Sequence, residues 1–163
     1  MFIFSVVTLQ VFGLSSFMIE GPSMEPFIYD GDIVMIDEYA GNKGLARGDV
    51  VVFAGASEPN YYYVKRIVGL PGEKIHITKE GIYVEKAGIE EKLDESYLGE
   101  NTDSAPVSEA YRNNYRRTYD IPQDKYFVLG DNRAHSLDSR YFKSPFIGFD
   151  EIRGKYLFKI SGL

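Results

Sequence analysis

A mostly β fold, built from antiparallel sheets, is what this sequence predicts, and three observations predict it. Apolar runs of strand length recur along the chain, and they are rich in Val, Ile, Tyr and Phe. Gly, Pro, Asn and Asp punctuate the gaps between them. Beyond the N-terminus, no 12-residue stretch keeps a helical period. In order, the expected strands are Ile33 to Ile36, Val50 to Phe53, Tyr61 to Val68, Lys74 to Thr78, Ile82 to Val84, Tyr126 to Leu129 and Lys155 to Ile160. Greek-key or sandwich-like sheets are the expected arrangement. The segment from about Gly88 to Tyr119 lacks strand patterning and reads as a surface excursion, with a short helix near Ser108 to Arg116.

At 163 residues the chain fits one domain with a smaller insert, and it is long enough to bury a core without staples. With no cysteine it excludes thiolate nucleophiles, iron–sulfur clusters and thiolate-bound zinc. The net charge is −6, and residues 85 to 109 alone hold eight acids against two bases. The body is therefore neutral, which argues against nucleic acid as a partner, since a phosphate backbone calls for clustered Lys and Arg. The only histidines are His76 and His135, with no H-E-x-x-H spacing or comparable ligand cluster, so no metal site and no cofactor are expected.

From Met1 to Ile19 no side chain is charged and most are apolar. The run reaches the lower part of the range for a membrane span, so residues 1–18 are read as an apolar membrane-anchor segment that becomes extended around Ser16 to Ile19. No basic flank precedes it, which implies a short anchor or a sequence lacking its beginning. Residues 19–163 would then form a β-rich domain, the candidate for any catalytic role, with an acidic surface insert at about 85–120.

Three places carry possible chemistry. In Gly21-Pro22-Ser23-Met24-Glu25-Pro26, prolines on both sides of Ser23 restrict the backbone, so a rigid segment could present its hydroxyl to a substrate strand. In Tyr61 to Gly72, strand alternation puts Lys65 on one face with Tyr63 and Ile67, and Arg66 on the other with Val64 and Val68. One of the two cations must then sit among apolar neighbours. Lysine is the better base, because desolvation can leave a neutral amine while arginine stays charged. The alternative is that Lys65 snorkels to solvent. In Gly130 to Arg140, eleven residues hold two carboxylates, two guanidiniums and two hydroxyls, more than a turn requires. Asp138 and Arg140 could pair and fix this loop. A Ser-His-Asp triad of Ser23 and His135 with Asp131 or Asp138 is also conceivable, though nothing in the sequence brings His135 to Ser23.

Ser-Met-x-Pro from Ser23, Gly-Asp-Ile-Val from Gly31, Tyr-Val-Lys-Arg-Ile-Val-Gly-Leu-Pro-Gly from Tyr63, and Gly-Asp-Asn-Arg-x-x-Ser-x-Asp-Ser-Arg from Gly130 together resemble type I signal peptidase. The resemblance runs from about Phe17 to Gly154. It implies a signal-peptidase-like antiparallel β-sheet domain and a Ser–Lys dyad, with Ser23 as nucleophile and Lys65 as general base. By the same resemblance, Ser136 would hold the lysine ammonium, Asp138 and Arg140 would form a supporting pair, and Gly130, Asp131 and Asn132 would shape the loop. Ile19, Met24, Ile28, Tyr63 and Val64 would line shallow pockets for A-x-A sites in preproteins. The Ser23 backbone N–H would donate to the oxyanion. The pattern is broken at Gly21, where some relatives carry a serine that adds a second donor, and at Phe27, where threonine is usual.

The resemblance further implies a monomer anchored in the cell membrane, by a single or N-terminal pass, with membrane lipid as a partner and its catalytic domain on the extracytoplasmic side. Two alternatives compete at this point: a self-cleaving Ser–Lys protease of the SOS-repressor type, and a non-catalytic β module that binds partners through its aromatic strands. The first lacks the Gly-Asp-Asn-Arg loop. The second would lose no proteolysis on Ser23→Ala.

Overall fold

The computed structural model describes residues 6–11, 13–40, 44–55, 58–99 and 116–161. Twelve strands form two antiparallel sheets among these residues. In chain order they are β1 (Val6–Val11), β2 (Leu14–Met18), β3 (Ile33–Asp37), β4 (Val50–Gly55), β5 (Glu58–Gly69), β6 (Lys74–Thr78), β7 (Gly81–Lys86), β8 (Ile89–Lys92), β9 (Arg116–Asp120), β10 (Lys125–Leu129), β11 (Ile147–Gly148) and β12 (Ile152–Ile160). The larger sheet has the order β1-β2-β3-β12-β4-β5-β10-β11, and the smaller one β8-β7-β6-β9.

All seven expected strands are present, several longer than their apolar runs. The excursion differs from expectation, and the N-terminal run is extended over more residues than Ser16 to Ile19. Residues expected in an anchor contain the hairpin β1–β2, which pairs through β2 with β3. Gly13 makes its turn possible: its φ is +74°, and a Cβ there would meet the Tyr39 ring at 2.0 Å. No helix long and apolar enough to cross a membrane occurs among the described residues. The excursion is bounded by strands rather than free of them, since β8 pairs with β7 and β9 with β6. Ile89-Glu90-Glu91-Lys92 and Arg116-Arg117-Thr118-Tyr119-Asp120 are almost wholly exposed, so they lack the alternation that reveals a half-buried strand. Their backbones pair nonetheless, because edge strands need a neighbour's hydrogen bonds more than a buried face. The helix expected over 108–116 lies largely outside the described residues, and Arg116 itself begins β9.

Three contiguous clusters make the core. Phe17, Ile19, Met24, Ile28, Val34, Ile36, Val50, Val52 and Val64 fill one face of the larger sheet. Val51, Phe53, Ile67, Val128 and Ile147 fill the other. The third cluster joins the sheets, packing Val68, Phe127 and Leu129 of the larger against Ile75, Ile77, Ile82 and Tyr119 of the smaller. Each such fully buried side chain contributes about 1.5–3 kcal/mol of burial. Strand β5 is the pivot of this arrangement. It runs between β4 and β10, then turns through Leu70-Pro71-Gly72 into β6, so residues from its middle are covered on both faces.

Candidate active site

Ser23 lies in the turn between β2 and β3, where Glu25 N–H donates to Pro22 O and Ile28 N–H to Met24 O. Met24 and Ile28 are fully buried beneath it and pin the turn to the core, while Ser23 itself stays partly accessible. Lys65 sits mid-way along β5, opposite Val51 of β4, and is 3% exposed. Its ammonium stands 2.9 Å from Ser23 Oγ and 2.8 Å from the Val64 carbonyl, with the Tyr63 ring beside it. Burial lowers its pKa from 10.5 to about 8, against the attraction of Asp138 and Asp131 and with some help from Arg140. Lys65 therefore does not snorkel. Arg66 is buried as well, so β5 carries two buried cations on opposite faces where the sequence required one.

The loop after β10 closes the site from the other side. Gly130 is obligatory there: a Cβ would meet Ser136 Oγ at 2.2 Å and the Ser23 carbonyl at 2.4 Å. Asn132 N–H donates to that same Ser23 carbonyl at 3.1 Å. Asp138, completely buried, accepts from Gly130 N–H (3.0 Å), Ser136 Oγ (2.7 Å), and Arg140 through Nε (2.7 Å) and a terminal nitrogen (2.8 Å). The expected Asp138–Arg140 pair is thus present. The Ser136 hydroxyl, expected to hold the Lys65 ammonium, donates to Asp138. Asp131 is held by a two-pronged bond from Arg66, at 2.8 and 2.5 Å.

His135 is exposed and makes no contact that would link it to Ser23, so the triad alternative has no geometry behind it. Ile19, Met24, Ile28 and Val64 belong to the core cluster beneath Ser23, so they form its floor; Tyr63 is more accessible and stacks on Phe53. Gly21 N–H is engaged by Asp30 at 2.5 Å. Phe27 packs edge-on against Tyr156, with its ring 4.9 Å from the Arg66 guanidinium.

Sequence reading gave Arg66 no role and missed Arg133, Glu95 and Tyr97, which complete the charge network around the loop. A signal for the first was available, because a guanidinium next to the buried lysine on a two-faced strand needs its own carboxylate. Also unforeseen, His76, Glu85 and Glu90 gather ligand atoms within 4.8 Å of one another on the smaller sheet. Register makes this cluster, as β6 and β8 both flank β7. Its carboxylates are already engaged: His76 Nε2 lies 3.0 Å from Glu85, and Arg116 donates to Glu90 at 2.6 Å. His76 is the chief cause of a lowered Glu85 pKa.

A partly open serine against a buried amine can run acyl transfer, the amine taking the hydroxyl proton. A β-rich fold that carries such a pair is suited to a serine hydrolase. The model of the family "Signal peptidase, peptidase S26" matches residues 1–161, and the chain belongs to that family. It is 31% identical to signal peptidase I P of Bacillus subtilis subsp. natto over 153 residues, covering 90% of this chain and 80% of that one. With signal peptidase I of Pseudomonas aeruginosa the identity is 35% over 180 residues, covering 91% of this chain and 62% of the relative. The crystal structure of a signal peptidase I from Enterococcus faecalis superposes with a TM-score of 0.53 at 30% identity, covering 70% of this chain and 97% of that one.

Proposed function

We propose that this protein is a signal peptidase, a serine endopeptidase that removes N-terminal signal peptides from preproteins after A-x-A type sites, with Ser23 as nucleophile and Lys65 as general base. The observation that carries the reading is the 2.9 Å contact between Ser23 Oγ and a lysine ammonium buried enough to lose its proton near pH 8.

In acylation the neutral amine accepts the Ser23 proton while Oγ attacks the scissile carbonyl. The ammonium then protonates the leaving amine, and the same amine activates water for deacylation. Asp131 and Asp138 favour the transient ammonium, and Ser136 and Arg140 hold Asp138 in place for it. The Ser23 N–H donates to the oxyanion. Glycine at position 21 offers no hydroxyl as a second donor, and its N–H is committed to Asp30. Small residues of the substrate would rest on the floor of Ile19, Met24, Ile28 and Val64, beside Tyr63.

Membrane association fits the outer face of the larger sheet. Met18 and Ile160 both lie opposite Ile33, and Phe158 lies opposite Met35, so exposed apolar side chains of β2 and β12 flank half-buried ones of β3. Strands β1 and β2, which lie within the apolar run at 1–18, form the edge of this sheet, and the proposal puts the catalytic domain on the extracytoplasmic side. A monomer suffices for this chemistry, since both reacting groups come from one chain.

The test is cleavage of a preprotein with an A-x-A site, in detergent, by the protein and its Ser23→Ala and Lys65→Ala variants. Cleavage at that site, lost in both folded variants, is the expected result; full activity in either would overturn the dyad.

A further inference from the structure

The acidic excursion returns toward the catalytic loop just after β8. Asp94 and Ser96 face outward, while Glu95 and Tyr97 turn inward. The turn is internally fixed: Ser96 N–H donates to Asp94 at 3.0 Å, Leu98 N–H to Glu95 O at 2.9 Å, and Tyr97 Oη to the Glu95 carboxylate at 3.1 Å. Glu95 departs from the pattern of the acids around it. Its side chain is 6% exposed, against 36% for Glu90, and it forms an ion pair with Arg133, itself 2% exposed.

Arg133 belongs to the catalytic loop. Its Nε donates to Gly130 O at 3.0 Å, and its own carbonyl accepts from Arg140 at 2.9 Å. Tyr97 reaches the other arm of the network, where the Arg66 guanidinium lies between two rings, 4.3 Å from Tyr97 and 4.9 Å from Phe27. Arg66 in turn holds Asp131, and Asn132 N–H holds the carbonyl of Ser23. Two side chains from the excursion therefore bear on both cations that fix residues 130–132, one step from the nucleophile.

We propose that Glu95 and Tyr97 are positioning residues, through which the acidic excursion holds the catalytic loop in register with Ser23 and Lys65. The proposal rests on the Ser23–Lys65 reading of the site. Without the carboxylate, Arg133 keeps a buried charge that must move toward water, carrying Gly130 and Asn132 with it. Without the Tyr97 ring, one face of Arg66 opens to solvent and its grip on Asp131 loosens. Either displacement changes the alignment of Ser23 with the amine and lets water reach Lys65, while the floor that binds substrate is untouched.

The experiment compares Glu95→Gln, Glu95→Asp, Tyr97→Leu and Tyr97→Phe with the unmodified chain, Ser23→Ala, and Glu91→Gln from exposed β8 as control. Steady-state cleavage of an A-x-A preprotein is measured across pH, and titration of the Lys65 amine is followed by NMR on lysine-labelled protein. Glu95→Gln and Tyr97→Leu are expected to lower kcat about 10- to 100-fold, the scale of a misplaced catalytic group, with KM within about twofold. Both should move the Lys65 titration up toward the ordinary lysine value of about 10.4. Glu95→Asp and Tyr97→Phe, which keep the charge and the ring, should recover most of the loss, and Glu91→Gln should match the unmodified chain. Folded Glu95→Gln and Tyr97→Leu with unchanged kcat and Lys65 titration would overturn the proposal, as would a loss of kcat that only follows the folded fraction. If Glu95→Gln does not fold, Tyr97→Leu decides by the same readouts. Failure of the underlying reading looks different: Ser23→Ala would keep cleaving, and the amine titration would still decide the positioning role.

Discussion

The two sheets are built from similar stretches of Val, Ile and Tyr, yet they treat charge in opposite ways. On the larger sheet and its loop, Lys65, Arg66, Asp131, Arg133, Asp138 and Arg140 are all buried. On the smaller sheet the pairs lie open, as with Lys74 and Asp120, whose side chains are 36% and 77% exposed. Burying an ion pair sacrifices hydration that its attraction only partly repays, whereas an exposed pair contributes little either way. A cluster of buried charges is therefore costly unless its geometry is needed, and here it surrounds a serine. His76 of β6 and Glu73 just before it depart from this pattern, both buried, and their partners stay more open: Glu85 and Glu90 are partly solvated and Lys86 is exposed.

The largest effects that would break this contrast concern the reacting pair. Ser23→Ala and Lys65→Ala should each lower kcat about 10⁴-fold, and the double variant no further, because the two act as one unit. Additive losses, measured by single-turnover cleavage, would separate their roles. Next is Arg66→Met, which leaves Asp131 buried without its fork; denaturant unfolding should show a loss of about 3–5 kcal/mol. A cost below about 1 kcal/mol would mean that Asp131 behaves like the exposed acids of the smaller sheet.

Lys65 also sharpens the comparison through pH. Its folded pKa of about 8 lies below the ordinary 10.5, so between these values the unfolded chain binds more protons and stability rises with pH. The full rise is about 3 kcal/mol, and Lys65→Met should lack it in unfolding curves taken from pH 7 to 11. Smallest is Lys74→Ala, expected to shift stability by no more than about 1 kcal/mol. A larger loss would show that exposed pairs support the smaller sheet after all.

Legibility in the sequence followed the same division. Strands such as Ile33–Asp37, with alternating burial, and Val50–Gly55, buried on both faces, announce themselves through side-chain pattern. Strands β8 and β9 did not, because their pairing uses backbone groups while their side chains, Tyr119 excepted, stay in water. The hairpin β1–β2 was read as a continuous apolar segment, since Gly13 alone marks its turn. At the site, Ser23, Lys65, Asp138 and Arg140 were singled out because each lies within a dense local motif, and the fold brings Ser23 to Lys65 and Asp138 to Arg140. Glu95–Arg133 and Tyr97–Arg66 were not, since residues 38 and 31 positions apart meet only through the path of the fold. The bond from the Ser136 hydroxyl to Asp138 was not foreseen for a related reason: spacing places Ser136 in the loop but does not tell Lys65 from Asp138.

The central claim is that a lysine buried beside Ser23 works as a neutral base, and the pH dependence of kcat/KM tests it most directly, because that ratio reports the ionisation of the free enzyme. Cleavage of an A-x-A preprotein should rise about tenfold per pH unit below an apparent pKa near 8 and then level off, with the limb unmoved by His135→Gln. A rate that is flat from about pH 5 to 9, or a limb near 6.5 that disappears in His135→Gln, would contradict the account.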